Sequence, residues 1–308
     1  MDESERMLEL LNASFPDIAA MAPLDARAAV DARVRPVDNL DDVARAEDHL
    51  IVGTAGDVPV RVYHPHDPAR DAPAVVFAHG GGFLHGSIAS HDGFCRRWAR
   101  GTGAVVVSVE YRLAPEHPAP EAVDDVISAV DWLRSSDAAG AGIVAAGDSS
   151  GANLAAVAAI ALRDRGDSPL VGQVLIYPFL DPTMASQSYR TRAQGYFVTA
   201  RSLGYYWKTY LGERLETAPA DWRISPANAA NHNALPPAIV VTAGLDPLCD
   251  EGRDYARLLR RAGVPALHRH HPEQFHGFLT IPGYGPAEAA RELLWSDFRA
   301  AFVKEGRA

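Results

Sequence analysis

The sequence predicts an α/β fold in which a mostly parallel sheet lies between layers of helices. Two observations carry that prediction. Five short runs, "AVVFAH" (74–79), "AVVVSV" (104–109), "IVAAG" (143–147), "QVLIY" (173–177) and "AIVVTA" (238–243), are continuously apolar and mostly β-branched, the pattern of strands buried on both faces. Between most of them lie helix-length segments such as "EAVDDVISAVDWLRSS" and "ANLAAVAAIALRDRG", and strands alternating with helices build parallel crossovers. A chain of 308 residues, 47% hydrophobic and 22% charged, can bury a core of this kind around a single sheet.

The elements follow in order. Residues 1–44 are charged and Ala-rich with helical spacing, and Pro16, Pro23 and Pro36 cut them into short helices. "EDHLIV" and "VPVRVYHP", separated by the turn-forming "GTAGD", predict an antiparallel hairpin at the edge of the sheet. The parallel strands then alternate with helices until residue 181. From 181 to 235 no strand pattern occurs, and "YFVTARSLGYYWKTYL" is aromatic with partly helical spacing. That interval reads as an insertion which, with residues 1–44, forms a cap over the sheet. The expected division is therefore 1–44 and 181–235 for the helical cap, 45–180 and 236–308 for the two parts of the core.

Several function classes are disfavoured by composition. A formal net charge of −10 argues against a general nucleic-acid binder, which needs a basic face. No stretch reaches the roughly 18–20 apolar residues of a membrane span. "MDESERMLELL" has several charges and neither a basic nor an apolar leader region, so a cytoplasmic location is expected. Cys95 and Cys249 have no metal-ligand spacing and are expected to be free thiols.

The chemistry concentrates in four short stretches. In "AAGDSSGANLAAV", Gly147, Ser149 and Gly151 fit the frame G-x-S-x-G, in which small flanking residues let a strand turn sharply into a helix and expose a nucleophilic serine. Centring the frame on Ser150 would require glycine at Asp148 and Ala152, so Ser149 is the expected nucleophile. A helix-capping loop would also account for this pentapeptide, and "GDSSG" occurs in chymotrypsin-like proteases; those are all-β proteins whose His and Asp precede the serine. The entering apolar strand and departing Ala-rich helix favour the strand-to-helix turn. "HGGGF", directly after the strand "AVVFAH", exposes successive backbone N–H groups, and those of Gly81, Gly82 and Ser150 are the expected oxyanion hole.

A serine nucleophile needs a base, and the base an orienting carboxylate. Asp246 lies just beyond the strand "AIVVTA", while Asp250 and Glu251 fall in the following helix, where they are expected to cap it or face solvent. Of His268, His270, His271 and His276, the first three sit in a predicted last strand, "PALHRHHP". His276 lies beyond it in "EQFHGF", a loop able to return to the same edge. The histidines match no zinc-binding pattern, so neither metal nor cofactor is expected. Pro115, Pro118 and Pro120 should stiffen the loop into the next helix, with Arg112 and Glu116 as a possible pair.

"HGGGF", "VEYRLAPEHPAPEAVDD", "GDSSG", "GLDPLCDEG" and "FHGF", in that order from about residue 45 to the end, resemble the hormone-sensitive-lipase-like carboxylesterases, family IV of the bacterial lipolytic enzymes. The resemblance implies an eight-stranded α/β-hydrolase fold with a helical cap, and the triad Ser149, Asp246 and His276. It also implies a small ester as substrate and a homodimer through sheet edges as one form of assembly. The expected activity is hydrolysis of short to medium acyl esters through an acyl-enzyme. Phe83, Tyr196, Phe197 and Tyr206 are the expected substrate-binding residues. The alternatives are an amidase or deacetylase with the same triad and a non-catalytic small-molecule receptor.

Overall fold

The computed structural model of the protein describes residues 2–303. Met1 and residues 304–308, at the ends of the first and last expected segments, lie outside the described residues. The N-terminal segment forms α1 (Glu3–Ser14) and α2 (Pro23–Asp31). A reciprocal capping box between Asp2 and Glu5 starts α1, and Pro23 occupies the first turn of α2, where its missing N–H costs nothing.

The sheet opens with the expected hairpin, β1 (Arg45–Gly53) and β2 (Gly56–His64), paired antiparallel. Then follow β3 (Ala74–Ala78), α3 (Ile88–Thr102), β4 (Val106–Val109), α4 (Glu121–Arg134), β5 (Ile143–Asp148), α5 (Ser150–Arg165) and β6 (Leu170–Ile176). The insertion contributes α6 (Ser188–Thr191) and α7 (Ala200–Leu211), and the chain ends with β7 (Ala238–Leu245), α8 (Cys249–Arg261), β8 (Ala266–Phe275) and α9 (Gly285–Phe302). Strand order is β1-β2-β4-β3-β5-β6-β7-β8. β2 meets β4 antiparallel, and every pairing from β4 to β8 is parallel.

Alternation along buried strands sets the two helix layers. Val75 and Phe77 of β3 pack with Phe94 and Trp98 of α3 and Trp295 of α9, while Val76 and Ala78 pack with residues of α4 and α5. The small side chains of α5 let it run buried against β5; Ala152, Ala155, Ala156 and Ala159 are all inaccessible. All six residues of β5 are buried, so its carboxyl end projects the next residue from the middle of the sheet.

Three expectations change. The last strand runs on to Phe275, because the β7–β8 register shifts between Ala243 and Leu245, and Pro272, which has no N–H, sits in that irregular stretch. Arg112 pairs with Glu121 and Asp125, both at 2.9 Å, rather than with Glu116. Glu116 instead receives the guanidinium of Arg27, from α2, at 2.6 Å. Glu251 neither caps α8 nor faces solvent. Its buried carboxyl group is hydrogen-bonded to the amides of Leu180 (2.5 Å) and Asp181 (3.1 Å) and to the hydroxyl of Tyr189 (2.5 Å), tying the start of the insertion to α8.

The N-terminal segment and the insertion come together. Asn12 Nδ2 donates to Gly195 O at 2.9 Å and its Oδ1 accepts from Phe197 N at 2.9 Å. Tyr205 donates to Met21 O at 3.0 Å, and Phe15 meets Phe197 edge-to-face with centroids 5.0 Å apart. From the core side, Asn153 of α5 donates to the carbonyls of Phe179 (2.9 Å), just before the insertion, and Ile224 (2.8 Å), in its later part.

Candidate active site

β5 ends at Asp148, α5 begins at Ser150, and Ser149 makes the whole reversal between them at φ 55° and ψ −119°. A non-glycine residue in this left-handed region is strained, and such strain persists only where the surroundings enforce it. The flanking glycines are required by contact. A Cβ on Gly147 would lie 2.3 Å from the Gly151 carbonyl carbon, and one on Gly151 would lie 2.0 Å from Ala78 O. Sheet and helix approach too closely for any side chain at either position.

The turn presents Ser149 to His276. Its Oγ lies 2.9 Å from His276 Nε2, and His276 Nδ1 lies 2.8 Å from Asp246 Oδ2. A carboxylate only accepts, so Nδ1 carries the proton and Nε2 is free to accept from the serine hydroxyl. Asp246 is fully buried, and its other oxygen accepts from Leu248 N at 2.8 Å, which fixes the carboxylate. Asp246 comes from the loop bounded by β7 and α8, and His276 immediately follows β8. The three residues predicted from sequence therefore meet at one sheet edge, although 127 positions separate Ser149 from His276.

The "HGGG" loop leaves β3 beside this turn. Gly81 and Gly82 have φ of 131° and 61°, and neither amide finds an acceptor among the described residues. The Ser150 N–H opens α5 and has no acceptor within its own helix. Gly80 N donates to Asp148 Oδ1 at 2.7 Å, locking the loop to the residue before the serine. Burial holds His79 down at about 3 and His85 at about 4, so both rings are neutral at pH 7. The His85 Nε2 faces the Tyr206 hydroxyl at 2.7 Å.

A cavity of about 560 Å³ opens onto Ser149, Gly81, Gly82 and His276. Phe197 and Tyr206, two of the expected substrate-binding residues, line it. Phe83 and Tyr196 do not. Phe83 is fully buried and stacks on Tyr210 of α7 with centroids 3.8 Å apart. The guanidinium of Arg192 lies 5.7 Å from the Tyr196 ring centroid. Sequence reasoning missed Leu11, Phe15, Ile18, Val30 and Val34, which supply an apolar wall from the N-terminal segment. It also missed Ser90 and His91 of α3, which reach the same cavity. Among the described residues no three His, Cys, Asp or Glu side chains converge as a metal site, and no helix is long and apolar enough to cross a membrane.

Sheet order, strand-to-helix turn and cavity together are those of an α/β-hydrolase. The chain belongs to that family, in its hormone-sensitive-lipase-like branch, and the family model for the alpha/beta hydrolase fold matches residues 75–280. It is 39% identical over 259 residues to the carboxylic ester hydrolase LipN of Mycobacterium tuberculosis, covering 80% of this chain and 68% of LipN. Among solved structures it resembles the ester-hydrolase EH1AB1 from the Lake Arreo metagenome, complexed with a derivative of bipyridine phosphonate. The TM-score is 0.90 at 34% identity, over 99% of each chain. A lesser match is the rice gibberellin receptor GID1, 37% identical over 206 residues, or 63% of this chain and 58% of the receptor.

Proposed function

We propose that the protein is a serine carboxylesterase that hydrolyses short to medium acyl esters of small alcohols. The observation that carries this reading is the hydrogen-bonded chain Ser149–His276–Asp246, with links of 2.9 Å and 2.8 Å. Ser149 Oγ attacks the ester carbonyl carbon while His276 Nε2 takes its proton, and Asp246 stabilises the imidazolium that forms. The negative charge on the carbonyl oxygen is received by the N–H groups of Gly81, Gly82 and Ser150. When the tetrahedral intermediate collapses, His276 returns the proton to the leaving alkoxide and the acyl group stays on Ser149. A water molecule, deprotonated by His276, then attacks the acyl carbon; as the bond to Ser149 Oγ breaks, His276 returns the proton to Oγ, the carboxylic acid leaves and the serine is restored.

Segments 1–44 and 181–235 act together in this reading as a cap on the core formed by 45–180 and 236–308. The cap sets the substrate class, since the cavity beneath it is bounded by Phe15, Phe197 and Tyr206. A cavity of this size takes a short acyl chain with a small alcohol; a long-chain triacylglycerol exceeds it.

The test compares wild type with Ser149→Ala on p-nitrophenyl butyrate. The variant should lose at least about a thousandfold in kcat, and wild type should acquire one fluorophosphonate adduct on the peptide holding Ser149. Wild-type turnover by Ser149→Ala refutes the reading. The similarity to GID1 makes a receptor the second reading; a folded wild-type protein that binds ligands but takes no fluorophosphonate would establish it. An amidase would cleave matched amides as fast as esters. Across an acyl series kcat/KM should peak at short to medium length, and a steady climb to long chains would overturn the substrate class.

A further inference from the structure

Asp148, one residue before the nucleophile, is buried and takes no part in the proton transfer. Its Oδ1 accepts from Gly80 N at 2.7 Å and lies 3.2 Å from Nε2 of His91 on α3. The fit on the loop side is close, since a Cβ on Gly80 would sit 2.4 Å from the other carboxylate oxygen. His91 is fixed in turn, with Nδ1 2.8 Å from Ser90 Oγ. The same Ser90 hydroxyl accepts from Ser87 N at 2.9 Å in the box that starts α3. One carboxylate thus joins three elements: the strand carrying the serine, the loop carrying Gly81 and Gly82, and the first turn of α3.

Arg and Lys side chains make no ion pair with Asp148 among the described residues. Burial opposes its ionisation, but the charge and hydrogen bond of His91 and the Gly80 amide outweigh that and hold the carboxyl below the usual range. An ionised acceptor grips an amide more strongly than a neutral one, so the Gly80 N–H is the best-anchored point of the loop.

We propose that Asp148 and His91 form a positioning pair that sets the distance from the Gly81 and Gly82 N–H groups to Ser149, and so contributes chiefly once the carbonyl oxygen has become an oxyanion. The proposal rests on the esterase reading above. Losing the brace lets the loop relax while leaving the Ser149–His276 contact in place. A shift of about 1 Å in catalytic geometry costs on the order of a hundredfold in rate, and loss of one oxyanion donor costs roughly 10²–10³-fold.

The experiment measures Asp148→Ala, Asp148→Asn, His91→Ala and wild type on p-nitrophenyl butyrate and its thionoester, with active-site titration and thermal unfolding. Wild type should favour the oxygen ester, because hydrogen-bond donors stabilise a developing oxyanion better than a thiolate. Asp148→Ala should lose about a hundredfold in kcat with KM held within about threefold, and its oxygen-over-sulfur preference should drop at least about tenfold. Asp148→Asn keeps an oxygen for the Gly80 amide and should fall between wild type and Asp148→Ala; His91→Ala should reduce the same preference. An unchanged preference in folded, titratable variants overturns the proposal, whatever happens to their absolute rates. Should Asp148→Ala fail to fold, His91→Ala and Asp148→Asn decide by the same ratio. Failure of the esterase reading looks different: wild type itself would then turn over neither substrate.

Discussion

Replacing Gly82 by alanine should cripple turnover while leaving the protein folded, and the size of the effect can be worked from contacts. A Cβ at residue 82 would fall 2.3 Å from Cγ and Cδ1 of Tyr206 and 2.6 Å from Cδ2. Carbon atoms in contact stand about 3.5–4.0 Å apart, so the ring or the loop must give by more than about 1 Å. The ring has little room: Tyr206 is nearly inaccessible, and its hydroxyl is held 2.7 Å from His85 Nε2. The backbone adds a cost of roughly 1–2 kcal/mol for a side chain at φ 61°. Displacing the loop by that distance moves the Gly81 and Gly82 amides off the oxyanion, at roughly 10²–10³-fold in kcat. Steady-state kinetics normalised by active-site titration measure this. Adding Tyr206→Ala should restore part of the loss, a coupling that a double-mutant cycle isolates. A Gly82→Ala protein with kcat within threefold of wild type and full titration would refute both the clash and the role of the loop.

Two further outcomes concern how the insertion is held. Asn153→Ala leaves the buried carbonyls of Phe179 and Ile224 without their 2.9 Å and 2.8 Å donors and should cost about 2–5 kcal/mol in urea unfolding; a change below about 0.5 kcal/mol would contradict the role given to this side chain. Burial raises the Glu251 carboxyl to about 8, against the hydrogen bonds it accepts from Tyr189, Leu180 and Asp181. Its folded value therefore exceeds its ordinary 4.5, so its stabilising contribution is complete below about pH 4.5 and is lost as pH rises through about 8, a linkage of about 5 kcal/mol. Glu251→Gln removes that dependence, and urea midpoints at pH 5, 7 and 9 should fall less steeply for the variant; parallel slopes would disprove it.

What could be read from sequence follows from where each requirement is written. Ser149 needs glycine at 147 and 151 because backbones approach there, and a steric demand inside five residues leaves a readable trace. The same holds for Gly81 and Gly82. Asp246 and His276 are legible from their places after strands, since an α/β sheet gathers its loops at one edge, and the structure brings both beside Ser149. The cavity wall had no such trace. Phe15, Ile18 and Val34 are ordinary apolar residues of an amphipathic segment, and only the docking of residues 1–44 on the insertion turns them toward Ser149. Phe83 misled for the opposite reason. An aromatic beside the glycine loop suggests a pocket, yet it spends its ring on Tyr210, 3.8 Å away.

The Phe83–Tyr210 stack is one of several contacts that join residues 1–44 and 181–235 to the glycine loop. The "HGGGFLHG" stretch supplies both the amides of Gly81 and Gly82 and the residues on which those two segments rest. Phe83 stacks on Tyr210, His85 bonds Tyr206, and Leu84 O accepts from Arg27 Nε of α2 at 2.8 Å. Arg27 also donates to Ala114 O at 2.6 Å and pairs with Glu116, so the proline-rich loop is drawn into the same contact. Residues 1–44 and 181–235 therefore both bear on the loop of Gly81 and Gly82, while Ser149, Asp246 and His276 follow the carboxyl ends of β5, β7 and β8. The α7 part of the cavity wall and the Gly81 and Gly82 amides are packed against each other, and packed elements transmit displacement rather than absorb it. A change of cap sequence that reshapes the cavity through α7 must then alter rate as well as selectivity. Leu11 and Val34 line the same cavity without a hydrogen bond or ring contact to this loop among the described residues, so changes there are expected to act more on selectivity than on rate.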